Sequence, residues 1–267
     1  SAIFRGMDGT FLYLVGTAGC GKSSLAASLA AWMQGEGYAP ALVNLDPGAD
    51  GLPYEPNVDI REWVSVQGMM SEHGLGPNGA QIAAADLLAL NSAEMADAIS
   101  GIEADYCIID TPGQIELFAF RSSSRLLVDA FGRERALLAF LFDPNLVRQP
   151  TGFVSAQMLA ATVEFRLGLP TLNVLGKSDL LSAEELDLVN EWASEPASLL
   201  SALDSEPGAP HLPLTNELVK VLESLGMSRK LIASSSETGE GMSDIYSAAQ
   251  LIFDGGEDLE RKPKKSR

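Results

Sequence analysis

The chain has 267 residues, 46 % of them hydrophobic, and a formal charge of −18 at neutral pH. That apolar content suffices for one sizeable α/β domain, with or without an insertion, while no apolar run approaches the roughly 18 to 20 residues of a membrane span. The last eleven residues carry a net +2 from Arg261, Lys262, Lys264, Lys265 and Arg267 against Glu257, Asp258 and Glu260, so the remainder stands at −20 and repels nucleic acid and anionic membrane.

Met7 lies just ahead of the first strand-like run, so residues 1–8 read as an N-terminal extension. The opening residues show no secretory signal pattern. Cys20 and Cys107 read as reduced, buried thiols rather than a disulfide, and the expectation is a cytoplasmic protein. His73 and His211 are the only histidines, and without a Cys/His cluster no zinc site is legible.

The first apolar run, Phe11 to Val15, leads directly into Gly16-Thr17-Ala18-Gly19-Cys20-Gly21-Lys22-Ser23, a G-x-x-x-x-G-K-S phosphate loop. A helical pattern at Leu25, Leu29, Trp32 and Met33 follows. Strand, loop and helix in that order are the context such a loop needs. Its small residues let backbone N–H groups and the next helix's N-terminus surround phosphate oxygens. Lys22 would reach the β- and γ-phosphates, Ser23 would ligate Mg²⁺, and Ser24 belongs to the same nucleotide-binding set. The plainer alternative is a flexible glycine-rich turn with an incidental lysine, which leaves the flanking strand and helix unexplained.

Further apolar runs at Ala41 to Leu45, Tyr106 to Ile109, Leu137 to Phe142, Thr171 to Leu175 and Leu231 to Ala233 alternate with helical patterns. The alternation predicts an α/β fold, a mostly parallel sheet between two helical layers. Ligands of such sheets collect beyond the carboxyl ends of the strands. Polar motifs stand at those places. Asp46, in Asn44-Leu45-Asp46-Pro47-Gly48, is either a Mg²⁺ or water-orienting carboxylate or part of an Asp-Pro turn. Asp110-Thr111-Pro112-Gly113-Gln114 is the D-x-x-G arrangement of nucleotide hydrolases, in which Asp110 holds Mg²⁺ through water and the Gly113 amide senses the γ-phosphate.

Gly176-Lys177-Ser178-Asp179 follows the next strand. A carboxylate at Asp179 can accept parallel hydrogen bonds from guanine N1–H and N2–H₂, a donor pair that adenine lacks, while the Lys177 stem packs along the base. An ordinary helix cap at Asp179 or Ser182 is the alternative. After the last strand, a backbone N–H of Ser235 or Ser236 would meet guanine O6, or the segment is simply a serine-rich turn. Residues 182–230 form an acidic helical insertion. Its Leu186, Val189, Trp192, Leu199, Leu200, Leu203, Leu218, Val221, Leu222 and Leu225 should be mostly core, with Pro207, Pro210 and Pro213 breaking it into short helices. A groove for a partner is the alternative. Residues 255–267 read as a disordered basic tail.

Together these segments resemble the GPN-loop GTPases. The match rests on GTAGCGKSSL at 16–25, NLDPGAD at 44–50, YEPNVDIRE at 54–62, GLGPNG at 74–79, DTPGQIELF at 110–118, NVLGKSDLL at 173–181 and SETGEGM at 236–242. The resemblance implies a three-layer P-loop fold over residues 9–254 and a homodimeric, GTP-hydrolysing enzyme. In it Gly76-Pro77-Asn78 of one subunit enters the other's pocket and Asn78 approaches the γ-phosphate. Local chemistry alone reads Pro77-Asn78-Gly79 as a turn and helix cap. The resemblance also nominates Asp46, Asp110, Gln114 and Glu116 for metal binding and for aligning the attacking water, and implies a protein client, an RNA polymerase or another assembly. One departure stands out: where such enzymes carry Asn, Thr or Ser before Lys-x-Asp, this chain has Gly176, which predicts a less well steadied base loop and weaker nucleotide affinity.

Two rivals remain at this level. A P-loop kinase would gather arginines such as Arg121, Arg125, Arg133, Arg135 and Arg148 around an acceptor, but has no need of D-x-x-G with Lys-x-Asp. An ATP-driven partitioning protein would carry a second lysine where this chain has Thr17.

Overall fold

Phe11, Tyr13 and Val15 alternate with Leu12 and Leu14, and all five are buried; a strand apolar on both faces belongs in the middle of a parallel sheet covered on both sides. The computed structural model, which describes residues 9–206, 213–224 and 229–255, places it there. Seven strands, β1 (Thr10–Gly16), β2 (Pro40–Asn44), β3 (Val58–Asp59), β4 (Tyr106–Asp110), β5 (Ala136–Phe142), β6 (Thr171–Leu175) and β7 (Ile232–Ala233), form one sheet in the order β3-β2-β4-β1-β5-β6-β7. Every neighbouring pair is parallel. Six of the strands fall on the predicted apolar runs. Strand β3 does not, because two residues are too few to show a period.

The helices of the described residues are α1 (Lys22–Glu36), α2 (Val66–His73), α3 (Pro77–Leu90), α4 (Ser92–Ser100), α5 (Ile115–Phe118), α6 (Ser122–Phe131), α7 (Pro144–Val147), α8 (Pro150–Leu167), α9 (Ala183–Ser194), α10 (Pro196–Ser205), α11 (Pro213–Ser224) and α12 (Met242–Asp254). Because strand side chains alternate in direction, the core divides in two. Leu12, Leu14, Leu137 and Leu141 meet α1 and α12, while Tyr13, Val15, Phe140 and Phe142 meet α3, α4, α6 and α8.

The acidic segment after β6 is helical, as expected, and opens with a capping box: the Ser182 hydroxyl accepts from Glu185 N–H while the Glu185 carboxylate accepts from Ser182 N–H. Val189, Trp192, Leu199 and Leu203 join the larger core, with the Trp192 ring against Phe153 at 6.0 Å. In α11 Val219 is buried, while Val221, expected in the core, is 49 % exposed. Residues 1–8 and the basic tail beyond Gly255, together with Pro207, Pro210 and Leu225, lie outside the described residues.

Leu29 on α1 is fully buried between β1 and β4 in the smaller core. Leu29→Ala should cost about 2 to 5 kcal/mol, read as a lower urea midpoint with an unchanged m-value.

Candidate nucleotide-binding site

Strand β1 ends at Gly16 and α1 begins at Lys22, so the intervening residues turn sharply, with Gly19 and Gly21 at positive φ. Lys22 is buried. Its ammonium donates to the carbonyls of Gly16 and Thr17, both at 3.0 Å, and to that of Gly113 at 3.3 Å. The Cys20 side chain packs inward beside Gly16, and burial pushes its thiol up despite the Lys22 charge. Cys107 on β4 is also a free, buried thiol.

Strand register sets the polar loops side by side. Asp110 pairs with Asn44 of β2 on one side and with Leu14 of β1 on the other, so the D-x-P-G turn leaves the sheet level with the aspartate loop and the phosphate loop. Thr111 anchors that turn, its hydroxyl donating to the Leu14 carbonyl at 2.7 Å. Asp46 ties that turn to its own loop. One oxygen accepts from Gly48 N–H at 2.9 Å and the other from Gly113 N–H at 3.0 Å. Gly113 is therefore held twice, by its carbonyl on Lys22 and by its amide on Asp46. Behind Asp46, Asn44 donates to the Asp59 carboxylate at 2.9 Å, and Arg61 makes a bidentate pair with Asp59 while reaching the Ala49 carbonyl. Burial opposes the Asp59 charge, but the Arg61 and Asn44 hydrogen bonds outweigh it and hold the carboxyl below its ordinary range.

Asp110 is 1 % exposed. One carboxylate oxygen accepts from the Tyr54 hydroxyl at 2.9 Å; the other is buried and has no hydrogen-bond partner. Burial raises its pKa above the usual carboxylate range, against the pull of Ser23, Tyr54 and Lys22. A buried acceptor left open beside a serine hydroxyl and a lysine fits a hydrated divalent cation. Among the described residues no three His, Cys, Asp or Glu side chains gather as a metal cage.

A cavity of about 270 Å³ lies between the phosphate loop and the base motif, lined by Cys20, Gly21, Ser24, Leu25, Leu141, Gly176, Lys177, Asp179, Leu180, Ser234, Ser236 and Glu237. Lys177 adopts a left-handed backbone conformation at φ 53°, and its ammonium donates to the Gly19 carbonyl at 2.5 Å. Its stem crosses Gly21, where an added Cβ would stand 3.4 Å from Cε. Gly176 sits closer still: a Cβ there would meet the Cys20 carbonyl oxygen at 2.8 Å. The backbone at Gly176 thus runs so close to the phosphate loop that any side chain there would have to push the two apart. Ser236 lines the cavity, whereas the buried Ser235 stands behind the wall, its hydroxyl accepting from the N–H groups of Glu237 and Thr238.

The remaining candidates lie on the rim. Asn78 is exposed in the first turn of α3, whose first helical residue is Pro77 and whose N-cap is Gly76. One turn on, Gln81 accepts from the Gln114 side-chain amide at 3.2 Å, and Glu116 is exposed at the start of α5. Thr17 and Ala18 crown the phosphate loop. Sequence reasoning passed over Tyr54 and Gln81. Tyr54 lies in the segment quoted for the resemblance, and a phenol between Pro53 and Pro56 in a polar loop was the available signal. The arginines do not converge as a kinase site requires: Arg121 pairs with Asp86, Arg133 with Asp129, Arg135 with Asp254 and Arg148 with Glu185.

Phosphate loop, D-x-P-G turn and base cavity at the carboxyl end of one parallel sheet define a P-loop nucleoside triphosphatase. The family model described as "Conserved hypothetical ATP binding protein" matches residues 14–255. GPN-loop GTPase PAB0955 of Pyrococcus abyssi is 32 % identical over 88 % of this chain and 94 % of its own length, and GPN-loop GTPase 1 of Saccharomyces cerevisiae is 28 % identical over 90 % of this chain and 65 % of its own. The crystal structure of PAB0955, titled a GTPase in apo form, superposes with a TM-score of 0.80 at 31 % identity, covering 91 % of this chain and 97 % of the other. The chain belongs to the GPN-loop GTPase family and is a GTP hydrolase of the P-loop fold. The family model's description speaks of ATP; the relatives' names and the Asp179 carboxylate in the cavity both speak for guanine. No helix among the described residues is long and apolar enough to cross a membrane.

Gly176→Ala should push the base loop off the phosphate loop. Overpacking of this kind costs about 1 to 3 kcal/mol, so affinity for GTP and GDP should fall together, roughly 5- to 100-fold, in a calorimetric titration.

Proposed function

We propose that the chain works in the cytoplasm as a homodimeric, Mg²⁺-dependent GTPase whose nucleotide state switches its grip on a protein client, as an assembly factor would. The observation that carries this reading is Gly113, whose carbonyl is held by Lys22 and whose N–H is held by Asp46. A γ-phosphate suits both the Lys22 ammonium and the Gly113 amide, so its arrival exchanges both contacts and frees Asp46. That is a two-position element biased by one phosphate group.

Phosphoryl transfer asks the protein mainly for position and charge stabilisation. The amides of Gly16 to Ser23 cradle the phosphates, and Lys22 places its charge on the bridging and terminal oxygens. Ser23 and Asp110 would hold Mg²⁺, with Asp46 once Gly113 is released, and the bound ion would supply charge neutralisation on the phosphates. Gln114 orients the attacking water. Gln81, holding the amide end of Gln114, leaves its carbonyl oxygen to accept a hydrogen bond from the water. Glu116 stands near as a second acceptor, and Asn78 of a partner subunit would close the site. Asp179 and Lys177 choose the base. The acidic body points to protein clients rather than nucleic acid, with an RNA polymerase or another multisubunit assembly as the candidate.

Free phosphate released from GTP and from ATP, measured beside solution mass by light scattering with a non-hydrolysable GTP analogue, tests the reading. GTP should be the preferred substrate and the analogue-bound protein a dimer. Gln114→Ala should slow turnover on the order of 100-fold while GTP affinity holds. Unchanged turnover removes Gln114 from the mechanism, and a monomeric mass removes Asn78.

A further inference from the structure

The Asp110 carboxylate has one oxygen occupied and one left open, and the occupant is Tyr54. A carboxylate at a divalent-ion site can turn about its Cα–Cβ and Cβ–Cγ bonds, so a partner on one oxygen decides where the other points. The loop carrying Tyr54 is built to keep that partner still. Pro53 and Pro56 bracket the residue and fix φ on either side of it. Asn57 pins the end of the loop to β2 through two bonds of 2.7 Å, its N–H donating to the Leu42 carbonyl and its side-chain oxygen accepting from Leu42 N–H. The Tyr54 ring packs against the core cluster that also receives α1, the helix on which Ser23 stands.

We infer that Tyr54 is a positioning residue for the divalent cation of the hydrolytic site: by donating to one oxygen of Asp110 it directs the other toward the ion shared with Ser23. The inference rests on the Mg²⁺ reading given above and assigns Tyr54 no contact with nucleotide. The hydroxyl is suited to the task. Its O–H stands 2.9 Å from the Asp110 carboxylate oxygen, within ordinary donor reach. A hydrogen bond to an ionised acceptor is also among the stronger ones.

Tyr54→Phe keeps the ring and removes only the donor. The measurement is the release rate of a fluorescent GDP analogue from the full chain as free Mg²⁺ is raised from EDTA to millimolar levels. Wild-type release should slow as Mg²⁺ rises. Tyr54→Phe should need about 10-fold or more Mg²⁺ for the same slowing, with its release rate in EDTA and its thermal midpoint close to wild type. In an Asp110→Asn background the further change Tyr54→Phe should add nothing. A Mg²⁺ midpoint equal to wild type overturns the inference, as does a variant that only releases GDP faster in EDTA, or an effect that persists undiminished without the Asp110 carboxylate. If wild-type release ignores Mg²⁺ altogether, the metal reading fails and takes this inference with it.

Discussion

Gly113 is the point at which three separate parts of the chain meet. Its carbonyl faces a lysine that belongs to β1 and α1, and its N–H faces an aspartate that follows β2. Neither partner is near it in sequence. In a partly buried setting a charged group on each side of one residue is a strong restraint, since the two successive peptide units that meet at Gly113 are each held by a hydrogen bond to a charged side chain. The phosphate loop, the aspartate loop and the D-x-P-G turn therefore behave as one body. A ligand that competes for the lysine disturbs the aspartate as well.

This meeting depends on strand order more than on any single side chain. Strand β4 runs between β1 and β2, in register so that Asp110 stands beside Leu14 and Asn44. A slip of one residue in either pairing would turn Asp110 to the opposite face. The residues that secure the register are apolar: Ile108 and Ile109 face different layers of the core, and both are fully buried. Hydrophobic packing thus fixes the height at which the polar chemistry emerges.

Much of this was legible in the sequence. Six of the seven strands announced themselves as apolar runs, and the phosphate loop, D-x-P-G and Lys-x-Asp segments stood after them as a parallel sheet demands. What escaped were features whose meaning lies in a partner distant along the chain. Tyr54 is an unremarked phenol until Asp110, 56 residues on, is placed against it. Gln81 is an ordinary helix-surface glutamine until Gln114 reaches it. Gly176 reads from sequence as a missing side-chain bond, and only the fold shows that a Cβ there would crowd the Cys20 carbonyl. Strand β3 escaped for a humbler reason, since two residues carry too little pattern to show a period.

The sheet also narrows toward its margins. Its outermost strands, β3 and β7, are two residues long, while the central β1 and β5 have seven each. Stubby margins offer almost no run of free amides and carbonyls for another polypeptide to zip onto. The long, apolar, aggregation-prone stretches are shut inside, each flanked by neighbours on both sides. Neighbouring copies of this protein, each carrying a large negative charge, thus find little bare sheet edge on which to pair strand to strand.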